Sequence, residues 1–358
     1  MKNKIAKKSL QQNRENTGEF KNNITDKIQK ILIIRFSSIG DIVLTNSILK
    51  IVGKKYKNAT VNYLTKNKFR SLVEFHPVVS NIIILEDHSS LIQLRNSIKK
   101  STYDLIIDLH NSMRSKLITF GLKNVKRYKK HKIQRYLLTK FKIRIGEFFH
   151  VTQKYLETIN VKEKINSFKL FLPSEEMIRE NLRDKFQQLK KSNSVLGISV
   201  GASKPSKMFP IHKFIDIINS VGFEFDKIVF LGNGELEDKL TKLIADKIDF
   251  KSINLCSQLT ISELILFVNE LTIFIGNDSG IAHISAGTEV KTIAFFGQTV
   301  LEYGFTPVGN VEIIEPDEKL SCRPCGHLGH NNCPKKHHYC MEKMSSEKIV
   351  NKIKKFNL

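Results

Sequence analysis

The chain reads as an α/β protein made of two doubly wound parallel-sheet domains that face each other across a cleft. Three observations predict this. Apolar, β-type runs alternate with helical stretches along most of the chain. In the second half, four such runs end in glycine, the residue that lets a strand turn sharply at the carboxyl edge of a sheet. At 358 residues the chain also exceeds what one ordinary core holds.

The first strand is expected over residues 30–36 (KILIIRF), a nearly continuous apolar run of the kind buried on both faces of a parallel sheet. SSIGD at 37–41 turns the chain into a helix that continues to about Lys55. Strands at 60–64 (TVNYL), 81–85 (NIIIL) and 103–109 (YDLIIDL) follow, separated by a short helix to Phe75 and another around 91–99. A helical stretch at 175–191 opens the second half. Its strands lie at 195–200 (VLGISV), 227–231 (KIVFL), 272–275 (TIFI) and 292–296 (TIAFF), running into Gly201, Gly232, Gly276 and Gly297. The expected domains are a flexible basic extension at 1–27, a first Rossmann-like domain at 28–170 and a second, which includes the cysteine-rich segment, at 171–344. A basic, amphipathic helix at 345–358 is expected to pack back on the structure.

Lys and Arg number 58 against 35 Asp and Glu, a formal charge of +23. No acidic residue lies from Leu109 to Gly146, whereas twelve Lys and Arg do, with Phe120, Tyr128, Tyr136 and Phe141 among them. Such a tract attracts polyanions: nucleic acid, anionic lipid headgroups or a phosphorylated substrate. No apolar run approaches the roughly 18 residues of a membrane span. The polar, basic N-terminus has no signal-peptide core, so a cytoplasmic location is expected.

Three loops that follow strands carry the candidate chemistry. In TIFIGNDSGIAHISAGT (272–288) a strand stops at Gly276, turns through Asp278, Ser279 and Gly280, and opens a helix of small residues. That turn gathers unpaired backbone N–H groups and the positive end of the helix dipole, which suits a phosphate. In SSIGD, Gly40 permits a tight turn and Asp41 falls at the start of a helix, either as a cap or as a carboxylate facing the cleft. In GASKPSKMFP (201–210), glycine, serine and lysine follow a strand, residue types that suit a diphosphate. Neither the Walker A spacing nor GxGxxG is present, which disfavours a P-loop nucleotidase and a nicotinamide-dependent oxidoreductase. A nucleic-acid-binding protein accounts for the charge but not for glycine turns at successive strand ends.

In order and spacing, SSIGD, GAS…K…P and GNDSGIAHISA resemble the bacterial heptosyltransferases of glycosyltransferase family 9, from about Ile31 to the end of the chain. The resemblance implies the two-domain fold called GT-B and an ADP-heptose donor. It also implies a lipopolysaccharide inner-core acceptor, inversion at the anomeric carbon and no required cofactor or catalytic metal. It makes Asp41 the general base and Lys207 the holder of the donor phosphate, with Ser203 near the diphosphate. Asp278, Ser279 and Gly280 form the donor loop, and His283 lies one helical turn on. Glu235 is placed against the nucleoside, with Glu237 as the alternative alignment. On the acceptor side it implies Ser38 and Gly40, and His110 and Arg114 of the DLHNSMRS loop; the family usually has Gln where His110 stands, which leaves the acceptor open. The implied partners are an ADP-sugar, an anionic lipid A–core glycolipid received by the basic tract, and the inner face of the cytoplasmic membrane. No nucleic acid is expected.

Four of the five cysteines crowd into 322–340. Two readings stand for Cys322, Cys325, Cys333 and Cys340: a structural zinc knuckle, or a loop of reduced, partly buried thiols. Cys256 is expected in a core.

Overall fold

The computed structural model describes residues 27–86 and 90–357, so the extension expected at 1–27 lies outside it except for its last residue. The first sheet contains β1 (Lys30–Ile34), β2 (Thr60–Thr65), β3 (Val79–Ile84), β4 (Leu105–Asp108) and β5 (Val125–Arg127), all parallel, in the order β3-β2-β1-β4-β5. Its helices are α1 (Ile39–Lys55), α2 (Leu91–Lys100), α3 (Met113–Ile118), α4 (Lys132–Phe141) and α5 (Val151–Glu157). The second sheet contains β6 (Val195–Ser199), β7 (Lys227–Phe230), β8 (Ser252–Asn254), β9 (Ile273–Asn277), β10 (Lys291–Phe295) and β11 (Val311–Ile314). It is also parallel, in the order β11-β10-β9-β6-β7-β8. Around it lie α6 (Glu180–Lys190), α7 (Ile211–Val221), α8 (Glu235–Ala245), α9 (Ile261–Asn269), α10 (Gly280–Gly287), α11 (Tyr339–Glu342) and α12 (Ser346–Asn357). The two-sheet α/β architecture expected from the strand–helix alternation is the one the chain forms.

Strand order explains where the site sits. Each sheet reverses its winding once, between β1 and β4 in the first and between β6 and β9 in the second. At such a reversal the flanking loops leave in opposite directions and open a crevice at the carboxyl ends of the strands. The loops at those two points are 37–41, 109–112, 200–209 and 278–280, and all three loops singled out in the sequence are among them.

The second crevice is braced by one side chain. Asn277, at the end of β9, is fully buried. Its Oδ1 accepts the Phe209 N–H at 2.8 Å, and its Nδ2 donates to the carbonyls of Val200 at 2.9 Å and Gly201 at 3.1 Å. The loop carrying Ser203 and Lys207 is thus pinned at both ends to the strand that leads into α10.

The basic tract, for which the sequence suggested no elements, forms β5 and α4. β5 is three residues (VKR) with no apolar run to announce it. α4 begins just past the edge of the first sheet yet leans on the second unit. Its buried Leu138 packs with Val300 and Tyr303, Thr139 Oγ1 meets Tyr303 Oη at 2.8 Å, and Arg144 pairs with Glu302 at 2.8 Å. At the other end of the chain, α12 packs on α7, burying Ile349 and Ile353.

Asn277→Ala should strand three buried backbone groups at about 1–3 kcal/mol each. Its thermal midpoint should therefore fall by several degrees, whereas the exposed Asn233→Ala should melt like wild type. Equal melting of the two variants in calorimetry would show that Asn277 does not hold the loop.

Candidate active site

A cavity of about 640 Å³ lies between the two units. The first contributes Ser38, Gly40 and Asp41; the second contributes Ser203 and Lys207 from one loop and Asp278, Ser279, Gly280 and His283 from the other. The two halves meet through α1 and α10. Gly40 faces the His283 ring, so closely that a Cβ there would stand 2.6 Å from Cδ2, and Gly280 faces Ile39, where a Cβ would stand 2.8 Å from that residue's Cβ. Larger residues at either position would push the helices apart. Both helices therefore start at the same cavity, and their unpaired amides and positive dipole ends converge on it.

Asp41 is held from one side. Its Oδ2 accepts the Ser38 hydroxyl at 2.9 Å and the Ser38 N–H at 3.3 Å, and pairs with the Arg35 guanidinium at 2.5 Å. Among the described residues no hydrogen bond is made to Oδ1. Burial raises the carboxyl's pKa, but Arg35 and Ser38 more than offset it, leaving Asp41 below the usual aspartate value. Arg35 is itself buried and donates Nε to the Ser37 carbonyl and Nη1 to the Leu109 carbonyl, each at 2.7 Å. One guanidinium thus ties the ends of β1 and β4 together around the carboxylate.

Across the cavity, Lys207 Nζ pairs with Asp278 Oδ2 at 2.5 Å, and that oxygen also accepts the Thr299 hydroxyl at 3.0 Å. Ser279 Oγ and His283 Nδ1 are buried with no hydrogen-bond partner among the described residues. Buried polar atoms normally find partners, so two such atoms in one cavity point to a ligand that supplies them. Burial lowers the His283 pKa to about 4, against the opposing pull of Asp278 and Asp41, so its ring is neutral at neutral pH.

Three residues implicated by the sequence do not line this cavity. Glu235, at the start of α8, is exposed; the carboxylate at the wall is Glu237, which accepts the Asn233 N–H at 2.7 Å and fills the space left by Gly201 and Gly232. The glycines after β6 and β7 therefore make room for a carboxylate. Arg114 is exposed on α3. The His110 ring lies 4.6 Å from that of Phe36, tilted by 50°, and burial, with Arg35 and Lys130 nearby, lowers its pKa to about 4. The loop around it is organised by the fully buried Asp108, which accepts the N–H groups of His110 and Asn111 and the Ser115 hydroxyl.

The cysteine-rich segment lies over the loop that carries Ser203 and Lys207. His330 N–H donates to Ser206 Oγ at 2.7 Å, Lys204 bonds Asn331 at 2.9 Å, and His327 and Leu328 line the cavity. The zinc knuckle finds no support: among the described residues no three His, Cys, Asp or Glu side chains are disposed to hold a metal ion. Cys340 is buried in a core cluster with Met341, while Cys325 contacts Gln298 and Cys322 contacts His337. Cys256 is buried, as expected.

Residues 91–334, more than half of the chain, match the family model of glycosyltransferase family 9 (heptosyltransferase). The chain belongs to glycosyltransferase family 9. It is 27% identical over 350 residues to lipooligosaccharide heptosyltransferase 2 of Campylobacter jejuni, covering 92% of this chain and 99% of that protein. A family 9 glycosyltransferase from Veillonella parvula superposes with a TM-score of 0.71 at 18% identity, over 92% of this chain and 97% of that one. The Escherichia coli heptosyltransferase WaaC with ADP superposes with a TM-score of 0.65 at 13% identity, over 92% and 100%. The enzyme is a glycosyltransferase of GT-B fold.

Arg35 was missed in the sequence, although a lone arginine ending a buried strand two residues before SSIGD was a visible signal. Replacing it with Gln removes the cation beside Asp41 while leaving the burial that opposes ionisation. The Asp41 carboxyl should then titrate at higher pH, which carboxyl-carbon NMR resolves. An unchanged midpoint would mean that Arg35 has no electrostatic hold on Asp41.

Proposed function

We propose that the enzyme transfers heptose from ADP-heptose to an inner-core lipopolysaccharide acceptor, with inversion and without a catalytic metal. The observation carrying this reading is the pairing, across one cavity, of a carboxylate with a free oxygen and a lysine beside a helix N-terminus. The family supports the sugar, and the likeness to a heptosyltransferase solved with ADP supports the nucleotide. Asp41 Oδ1 takes the proton of the acceptor hydroxyl as that oxygen attacks the anomeric carbon from the first unit. The bond to the diphosphate breaks on the opposite side, and its electron pair leaves with ADP. Lys207, Ser279 and the amides opening α10 receive the charge that develops there, the task a metal performs in other transferases. Glu237 is the wall carboxylate placed to take a ribose hydroxyl, and neutral His283 donates to a phosphate oxygen.

The acceptor side extends into a second cavity of about 490 Å³, which shares Phe305, His327 and Leu328 with the first. Lys130, Lys132, Arg135 and Lys140 line it, and among the described residues none of the four pairs with a carboxylate. Unpaired cations beside the reaction cavity suit the anionic core of a glycolipid at the inner face of the cytoplasmic membrane. No described helix is long and apolar enough to cross a membrane.

Asp41→Asn should retain ADP affinity and lose at least ~100-fold in turnover, the contribution of a general base. Lys207→Ala should weaken ADP by about 1.5–3 kcal/mol in titration calorimetry, the worth of a charge-assisted contact. Near-normal turnover of the first variant would reduce Asp41 to a helix cap, and unchanged ADP affinity of the second would remove Lys207 from the donor site.

A further inference from the structure

Large apolar side chains exposed on the surface are concentrated in one stretch. Eight of the seventeen such side chains among the described residues fall within residues 113–145, a small part of the chain, so they form a feature and not a scatter. Five belong to α4 and the segment just after it: Ile133 is 76% exposed, Tyr136 56%, Phe141 60%, Ile143 48% and Ile145 49%. The opposite side of α4 is committed, because Leu138 is buried against Val300 and Tyr303. Ile133, Tyr136 and Lys140 recur at helical spacing on the side left open. The rings of Tyr136 and Phe141 lie 6.1 Å apart, joining helix and tail into one apolar surface.

The charge around this surface selects its occupant. Lys129, Lys130, Lys132 and Lys140 flank it, and the surrounding sequence contains no acid from Leu109 to Gly146. A second copy of the chain would set cation against cation. A nucleic acid would use the cations but not aliphatic side chains, which offer bases no stacking surface. A bilayer with anionic headgroups uses both, taking the cations at its surface and the apolar side chains below it. We infer that α4 and the segment 141–145 form an interfacial anchor that inserts into an anionic bilayer. The same helix lines the second cavity, so the anchor sets that cavity's mouth at headgroup level, beside the acceptor. This last consequence rests on the proposed acceptor; the membrane contact itself does not.

The full chain contains no tryptophan, so Phe141→Trp introduces a single reporter. Its emission should shift to the blue with phosphatidylcholine vesicles containing phosphatidylglycerol, should be quenched by bromine on the acyl chains, and should change little with phosphatidylcholine alone. The fourfold variant Ile133→Ser, Phe141→Ser, Ile143→Ser, Ile145→Ser removes only exposed side chains. It should partition at least about tenfold more weakly in sedimentation with the anionic vesicles, the difference persisting in high salt where purely ionic binding is screened. ADP affinity of that variant should equal wild type, which reports an intact fold. Equal partitioning of variant and wild type, or no emission change on anionic vesicles, would overturn the anchor. So would a concentration-dependent dimer of wild type that the fourfold variant abolishes. If vesicles bind as described but ADP-heptose is not consumed, the functional reading fails and the anchor stands.

Discussion

The packing of α1 against α10 sets the distance between the two units, and the cleft depends on it. Gly40 against the His283 ring and Gly280 against Ile39 let the helices approach with one side chain, and not two facing ones, at each contact. Further along, Gly287 rests against Val43, Leu170 and Phe168, so the contact continues down the helices. Two N-termini that begin side by side give one cavity a double set of unpaired amides. The glycines in this interface therefore do more than permit turns. They bring Asp41 of one unit to the same cavity as Lys207 and the start of α10 of the other.

Inside the cleft, the protein's own charges nearly cancel. Arg35 offsets Asp41, Lys207 offsets Asp278, and His283 is kept neutral by burial. The excess positive charge of the chain sits elsewhere, much of it on β5, α4 and their flanks. This division fits the proposed reaction, in which a diphosphate must be held without being trapped. Lys207 already has a carboxylate partner in Asp278, so in that proposal a departing diphosphate would compete for it and not be its sole counterion. The outer cations are free to work at longer range on a charged acceptor or a charged surface.

Much of this was legible in the sequence because the second half repeats one local rule. Apolar runs such as KIVFL and TIFI, each ending in glycine, can hardly be read except as parallel strands with loops at their carboxyl ends. SSIGD, the lysine loop and GNDSG were each found, and the fold brings their residues to one cavity. The basic tract was less legible. VKR is too short and too polar to register as a strand, and α4 hides its one buried face, Leu138, among residues chosen for the surface. Its packing on Tyr303 joins positions far apart in the chain, which no local pattern encodes. Glu235 was preferred over Glu237 because it comes first after the glycine turn. Helix geometry decides otherwise: the third residue of α8, not the first, turns back over Gly201. The thiols of 322–340 have metal-like spacing, yet spacing fixes only the order of residues: Cys322 contacts His337, Cys325 contacts Gln298 and Cys340 is buried with Met341.

The central claim is metal-free, inverting transfer between two facing units. It is tested most directly by product analysis of a reaction containing enzyme, ADP-heptose, a lipid A–core acceptor and excess EDTA. The account predicts one ADP released for each heptose added to the acceptor, with the anomeric configuration inverted in the NMR spectrum of the product. Retained configuration, or transfer that stops with EDTA and returns with a divalent cation, would contradict it.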